Sequence, residues 1–194
     1  MNAASALVGR NGYASTSIEE IAAEAGVGKQ TIYRWWPNKA ALFIEVYVWL
    51  VPPDLIADDT GTLAGDIEAF LSQLSRMYGK TPAGNILSGL IAEAQASTDL
   101  AEQLNDTYVV PRRTIIHSIF TRAMRRGEIP PTEDMTFASD LISGAIWFRL
   151  LLGSRHLDKK FKQRLTETVI RYLLGDQPKI PKPRVVRDEQ ETAN

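Results

Sequence analysis

The sequence predicts an all-α protein: an N-terminal three-helix unit, a connecting helix, and a C-terminal bundle of about five helices. Two observations carry this reading. Apolar residues recur at the i, i+3, i+4, i+7 spacing of a buried helix face almost throughout, and strand-like alternation is nearly absent. The segment from Ser17 to Phe43 also holds two short helical patterns joined by a tight Ala25-Gly26-Val27 corner.

In chain order, the residues before Gly12-Tyr13 form a short first helix, which Gly9 weakens. Ser17 and Glu20 are spaced as a capping box, so the second helix starts near Ile18 and buries Ile18, Ile21, Ala22 and Ala25. Gly26 supplies the positive φ of the corner. Val27 and Ile32 are expected to point inward toward Ile21 and Ala22. The connector runs from Asn38 to Val51. Its Leu42, Phe43, Ile44, Val46, Tyr47, Val48, Trp49 and Leu50 cover almost the whole circumference, which predicts burial on several sides, as in a wedge between two domains.

The bundle follows. Leu63, Ile67, Phe70, Leu71, Leu74, Met77 and Tyr78 mark one long helix, and Ile86, Leu87, Leu90, Ile91 and Ala94 mark another after Pro82. Thr98-Asp99 opens a third, running through Leu100 and Leu104 to Ile115, Ile119 and Phe120, with Pro111 expected to kink or break it. Gly127 and Pro130-Pro131 end it. Thr132, Glu133 and Asp134 start a helix that is apolar over much of its surface from Phe137 to Leu152, stopped by Gly153. Leu157, Phe161, Leu165, Val169, Tyr172 and Leu173 stripe the last helix, which Gly175 ends. Residues 176–194, rich in proline and charge, are expected to be a disordered tail. The expected domains are therefore 1–46, 47–175 and the tail 176–194.

Composition narrows the function. Among 194 residues, 44% are hydrophobic and 23% charged, an ordinary globular balance. The absence of cysteine excludes disulfides, thiolate chemistry and cysteine-based zinc sites, and no cofactor motif is present. No secretory signal or membrane-length apolar run occurs, so a cytoplasmic location is the default expectation. The net charge of −1 gives no global attraction to nucleic acid. Within the first 50 residues Arg10, Lys29, Arg34 and Lys39 are balanced by Glu19, Glu20, Glu24 and Glu45. A neutral unit can still bind DNA when its cations share one face.

The corner and the polar leading edge fit a helix-turn-helix whose second helix enters a major groove. Gly28, Lys29, Gln30, Thr31, Tyr33 and Arg34 are expected on its outer side. Lys29 and Gln30, at the helix start, are the candidates for base readout: Lys suits guanine O6/N7, and Gln can pair bidentately with adenine. Gly28 allows close backbone approach. Thr31, Tyr33 and Lys39 are candidate phosphate contacts that set register. The helix after Asn38 adds N–H groups for a further phosphate.

Gly12-Tyr13, Ser17-Ile18-Glu19-Glu20-Ile21-Ala22, Ala25-Gly26-Val27 and Thr31 through Leu42 (T-I-Y-R-W-W-P-N-K-A-A-L) together resemble the DNA-binding signature of the TetR (tetracycline-repressor-like) family. The likeness is dense over residues 3–50 and one of helical layout over 60–175. It implies a homodimeric, ligand-responsive repressor of a palindromic operator, with backbone contacts at Tyr33 and Lys39. Its bundle would be a ligand-binding and dimerisation domain. Members usually begin with a longer first helix and a basic arm; here only ten or so residues precede Gly12-Tyr13, which implies a truncated or missing N-terminal segment and weaker DNA binding.

The resemblance also implies that the last two long helices pair across a two-fold axis. The small run Ser143-Gly144-Ala145 permits close helix approach, so Leu141, Gly144, Phe148, Phe161, Leu165, Val169 and Tyr172 are the expected dimer residues. An effector pocket is expected between the bundle helices, with Met77, Tyr78, Glu93, Tyr108, His117, Phe120 and Trp147 as candidate linings. Trp147 and His117 stand out because each brings a polar group into an apolar stretch. The expected partners are operator DNA, a second copy of the chain and a small-molecule effector. The effector would shift the spacing of the two recognition helices from the roughly 34–36 Å of one DNA turn. Two alternatives are a constitutive DNA binder whose bundle only dimerises, and an enzyme. His117 and His156 have no nucleophile or carboxylate at an informative spacing, which argues against catalysis.

Overall fold

In a computed structural model, the described residues are 1–51, 55, 58–132, 134–152 and 157–175. The expected tail, Pro52-Pro53, Glu133, Gly153 and His156 lie outside them. Ten α-helices run through the described residues, and no strand occurs among them. The N-terminal unit holds α1 (Asn2–Asn11), α2 (Ile18–Ala25) and α3 (Lys29–Tyr33), followed by the connector α4 (Lys39–Leu50). The bundle holds α5 (Leu63–Lys80), α6 (Ala83–Ala94), α7 (Thr98–Leu104), α8 (Val110–Arg126), α9 (Met135–Leu151) and α10 (Lys159–Leu173).

Side-chain caps start several of these helices where the sequence places them. The Glu20 N–H donates to Ser17 Oγ at 3.2 Å while the Ser17 N–H donates to Glu20 Oε2 at 2.8 Å, a complete capping box. Asn38 accepts from the Ala41 N–H at 2.8 Å, Thr62 from the Gly65 N–H at 3.1 Å, and Asp158 from the Phe161 N–H at 2.8 Å. Each such cap contributes about 1 kcal/mol. Pro111 does not break its helix. α7 passes into α8 through a π-helical turn at Asn105–Val109, whose wider ladder accommodates the missing proline N–H and the bulk of its ring.

Phe70 and Leu71 of α5, Ile86 and Leu87 of α6, and Ile116, Ile119 and Phe120 of α8 form the centre of the bundle, all fully buried. α10 packs on α5 and α9, and α4 packs on α6 and α1. Three expectations are corrected here. Ala25 is exposed, and Val27 is 42% exposed; both lie where the chain turns away from the α2–α3 contact, leaving only Ile32 to reach Ile18, Ile21 and Ala22. The connector is not covered all round: Val48 and Trp49 are exposed, bordering an open cavity beside Pro111 and Ile115 of α8. Leu165 and Val169 are buried inside the protomer, since the apolar stripe of α10 faces α5 and α9 rather than an outer surface.

A charge cluster joins α5 to α8. Asp66 is fully buried on the stripe of Leu63, Ile67 and Phe70. It accepts from the Thr60 N–H and hydroxyl at 2.7 and 2.8 Å and pairs with Arg126 at 3.0 Å and Arg122 at 3.3 Å.

Candidate nucleic-acid interface and effector cavities

The DNA-facing element is built from α2 upward. Gly26 ends α2 in the left-handed conformation, φ 67°, and the Val27 N–H returns to the Ala22 carbonyl at 3.0 Å. That geometry turns the chain sharply into α3 and favours glycine. Ile32 anchors α3 to the core, which leaves Lys29, Gln30, Thr31, Tyr33 and Arg34 exposed on its outer side. Gly28 precedes the helix in extended conformation, φ −71°, and a Cβ there would meet nothing closer than Thr31 Oγ1 at 3.9 Å. Gly28 stands at the N-cap of α3, a position glycine favours.

The side chains of this face have partners the sequence did not reveal. The Lys29 ammonium pairs with Glu19 of α2 and lies 5.5 Å from the Tyr33 ring centre. The hydrogen bond to Glu19 holds its pKa above the usual lysine value. Arg34 stacks on Trp35, which is 67% exposed beside the same face. A phosphate or base would therefore compete with Glu19 for Lys29.

Lys39 and Glu93, expected as a phosphate contact and a pocket residue, meet at the joint between the two halves of the chain. Lys39 donates to the Tyr13 carbonyl at 2.6 Å, with its ammonium 4.3 Å from the Tyr13 ring centre. The Tyr13 hydroxyl donates to Glu93 at 2.6 Å, and burial followed by that carboxylate pushes the phenol far above its ordinary pKa. Burial lowers the Lys39 pKa, with Glu93 and Glu20 opposing. The Tyr13 ring also lies against Gly89 of α6, where an added Cβ would overlap its Cβ, Cγ and Cδ1. Gly89→Ala should thus dislodge the ring and lower stability by roughly 1–3 kcal/mol. Urea unfolding measures this, and Tyr13→Ala on the same background should restore part of the loss; no restoration would refute the contact.

Two cavities flank α8. One, of 540 Å³, is walled by Tyr47, Val48, Trp49, Leu55, Pro111 and Ile115 among others, at the end of the connector. The second, of 280 Å³, lies between Val109, Arg113, Asp140, Gly144 and Trp147. Tyr108 and Arg112 line both. Tyr108, held in the π-helical turn, accepts from Trp147 Nε1 at 3.0 Å and lies 3.4 Å, oxygen to oxygen, from Tyr78. Of the other expected linings, Met77 borders a third cavity of 320 Å³ with Leu50 and Arg76. Phe120 is fully buried core. His117 lines none of these cavities; its Nε2 is buried without a partner among the described residues, and burial, then Arg113, lower its pKa.

Arg112 and Tyr47 were not among the expected site residues. The available signal was positional: Arg112 shares a stripe with Ile116, Ile119 and Ala123, at i, i+4, i+7 and i+11, so a buried guanidinium was legible as a register.

A three-helix unit that presents the face of its third helix, set on a bundle with open cavities, has the form of a helix-turn-helix transcriptional regulator. Residues 1–46 match the profile of bacterial regulatory proteins of the tetR family, and residues 57–169 match that of the tetracyclin repressor-like C-terminal domain. The chain belongs to the TetR family of transcriptional regulators.

Its relatives agree. The uncharacterized HTH-type transcriptional regulator YdeS of Bacillus subtilis is 29% identical over 165 residues, covering 85% of this chain and 83% of that one. The repressor KstR of Mycobacterium tuberculosis is 26% identical over 180 residues, covering 91% and 80%. Among solved structures, the TetR family transcription regulator SCO0332 superposes with a TM-score of 0.68 at 32% identity, covering 91% and 95%. The fold is shared with FadR from Bacillus subtilis in complex with stearoyl-CoA, with a TM-score of 0.66 at 21% identity and coverage of 91% and 97%. These relatives are transcriptional regulators. No helix among the described residues is long and apolar enough to cross a membrane.

Proposed function

We propose that the chain is a homodimeric repressor that binds a palindromic operator through α3 and is released by a small molecule held in the bundle. The observation that carries this reading is the joint placement of the exposed α3 face and the 540 Å³ cavity at opposite ends of α4. A ligand against Val48 and Trp49 would bear on the connector, and a tilt of α4 would move α3 out of register with the groove. The cavities favour a sensor over a constitutive binder, whose core would be filled. The proposed domains are 1–46 and 47–175.

The proposed dimer surface is the exposed side of α9, where Leu141, Gly144 and Phe148 follow Phe137 at helical spacing, bordered by Phe161 and Tyr172 of α10. The Tyr172 hydroxyl bonds to Asp134, and its ring lies 5.0 Å from that of Phe137, so this edge is pre-ordered.

Fluorescence anisotropy on a natural operator tests the DNA face. Gln30→Ala should cost about 1–3 kcal/mol on the operator and relax preference at one position per half-site; equal losses on operator and random DNA would remove Gln30 from base readout. Lys39→Ala should weaken binding on all sequences and reduce the salt slope by about one. An unchanged slope would leave Lys39 with the Tyr13 joint as its only role.

A further inference from the structure

Arg112 is 7% exposed and lines both the 540 Å³ and the 280 Å³ cavity. An arginine cannot shed its proton, so this buried group is a permanent cation. Its one hydrogen bond runs from Nη2 to the Tyr47 hydroxyl at 3.3 Å, while Nε and Nη1 have no partner among the described residues. Burial pushes the Tyr47 phenol up to about 12 and the Tyr78 phenol well above its ordinary value, so neither supplies a negative charge. The ring faces of Tyr108 and Phe70, 5.5 and 5.7 Å from the guanidinium carbon, offset part of the charge but accept no hydrogen bond. The nearby Arg113 is already paired with Asp140 at 3.0 Å.

We infer that Arg112 is the anion-binding residue of the effector site, and that the effector is a small monocarboxylate with an apolar body. A carboxylate would take the second Nη2 N–H together with Nη1 or Nε in a fork of two hydrogen bonds, the side chain turning toward the cavity because Nε and Nη1 are sealed from solvent in the ligand-free protein. Among the described residues Arg112 is the one cation of the larger cavity's wall, whose other members are mostly apolar or aromatic. That balance matches a single negative charge; a phosphate dianion would lack a second cation. The body would lie against Trp49, Val51 and Leu55, in a volume suited to a drug-sized molecule. This rests on the ligand-responsive reading given above, and it names the ligand class that reading leaves open.

The test uses the full-length protein and matched probes that differ only in charge: 1-naphthylacetate, 4-phenylbutyrate and indole-3-acetate, each beside its neutral amide. Binding is read by tryptophan fluorescence and thermal shift. The acids should bind about tenfold or more tightly than the amides, with part of the quenching lost in Trp49→Phe. Arg112→Gln should reduce the acids to the level of the amides. Arg112→Met, which replaces an unpaired buried charge with an apolar chain, should melt no lower than the wild type and show the same loss of preference. If both variants fail to fold, the acid-to-amide ratio of the wild type decides alone. Equal binding of acids and amides, a preference that survives in either variant, or no binding by any acid overturns the proposal. Operator release by a neutral compound alone would sink the carboxylate site and leave ligand-responsive repression intact. A ligand-free protein that binds no operator would instead sink the repressor reading, while carboxylate binding would still be measured by fluorescence.

Discussion

Phe148→Glu is expected to leave a folded monomer that no longer holds its operator specifically. Phe148 is 68% exposed on α9, Leu152 just beyond the helix end is equally exposed, and Phe137 is 49% exposed. A contiguous apolar stripe of this kind, on a helix whose opposite side already fills the core with Ile142, Ile146 and Leu150, calls for a partner. Gly144 in the middle of the stripe lets two backbones approach closely. In a two-fold contact each substitution counts twice. Loss of an aromatic anchor and burial of an unpaired carboxylate, at about 2–4 kcal/mol per protomer, would weaken dimerisation by several orders of magnitude. Sedimentation equilibrium reads the assembly state, and anisotropy reads the operator. A dimer that persists with undiminished operator affinity would place the interface elsewhere. Leu165→Ala is the contrasting variant: its side chain is buried against the protomer's own core, so it should lower unfolding stability by about 2–5 kcal/mol and leave the monomer–dimer constant of the folded protein unchanged.

The second large effect belongs to Asp66. Asp66→Asn keeps the shape of the side chain but removes the charge that faces Arg122 and Arg126 inside the α5–α8 contact. The expected loss is about 3 kcal/mol in urea unfolding, because Arg122 loses its carboxylate partner and Arg126 keeps only Asp59 and Glu128. The pH dependence has a defined sign. Burial by itself would raise the Asp66 pKa, but the Thr60 N–H and hydroxyl, with Arg126 and Arg122, more than offset this and hold it below the ordinary carboxylate value. A folded-state pKa depressed in this way contributes stability that is complete above the unfolded value of about 3.9 and is lost as pH falls through the folded value. The wild type should therefore lose this increment on acidification below about pH 4, and Asp66→Asn should show a shallower acid limb. An Asn variant within 0.5 kcal/mol or so of the wild type at neutral pH would show that the cluster is structurally idle.

Much of the fold was legible because its signals act within one or two helical turns. The Ser17–Glu20 box, the left-handed Gly26 and the Asn38 cap each operate between residues three or four apart, and each appears where the sequence places it. The same locality explains the misses. Val27 has the composition of an inward residue, but its orientation depends on the angle between α2 and α3. Leu165 and Val169 read equally well as a dimer stripe or a core stripe, since periodicity identifies a buried face without identifying what covers it. Pro111 could be recognised as a disturbance, but its outcome as a π-helical turn depended on how α7 and α8 pack.

The amino-acid sequence alone determined the all-helical architecture, the helix-turn-helix, and the outward set Lys29, Gln30, Thr31, Tyr33 and Arg34, because each follows from spacing along a single helix. Tertiary structure decided that Glu93 joins Tyr13 rather than lining a cavity, that Arg112 is buried beside Tyr47 without a counter-ion among the described residues, and that α9 keeps an uncovered apolar side. The Tyr13–Glu93 and Tyr47–Arg112 contacts bridge 80 and 65 residues of chain. Such pairings depend on how far apart the helices settle once their cores are filled, and no local pattern carries that distance.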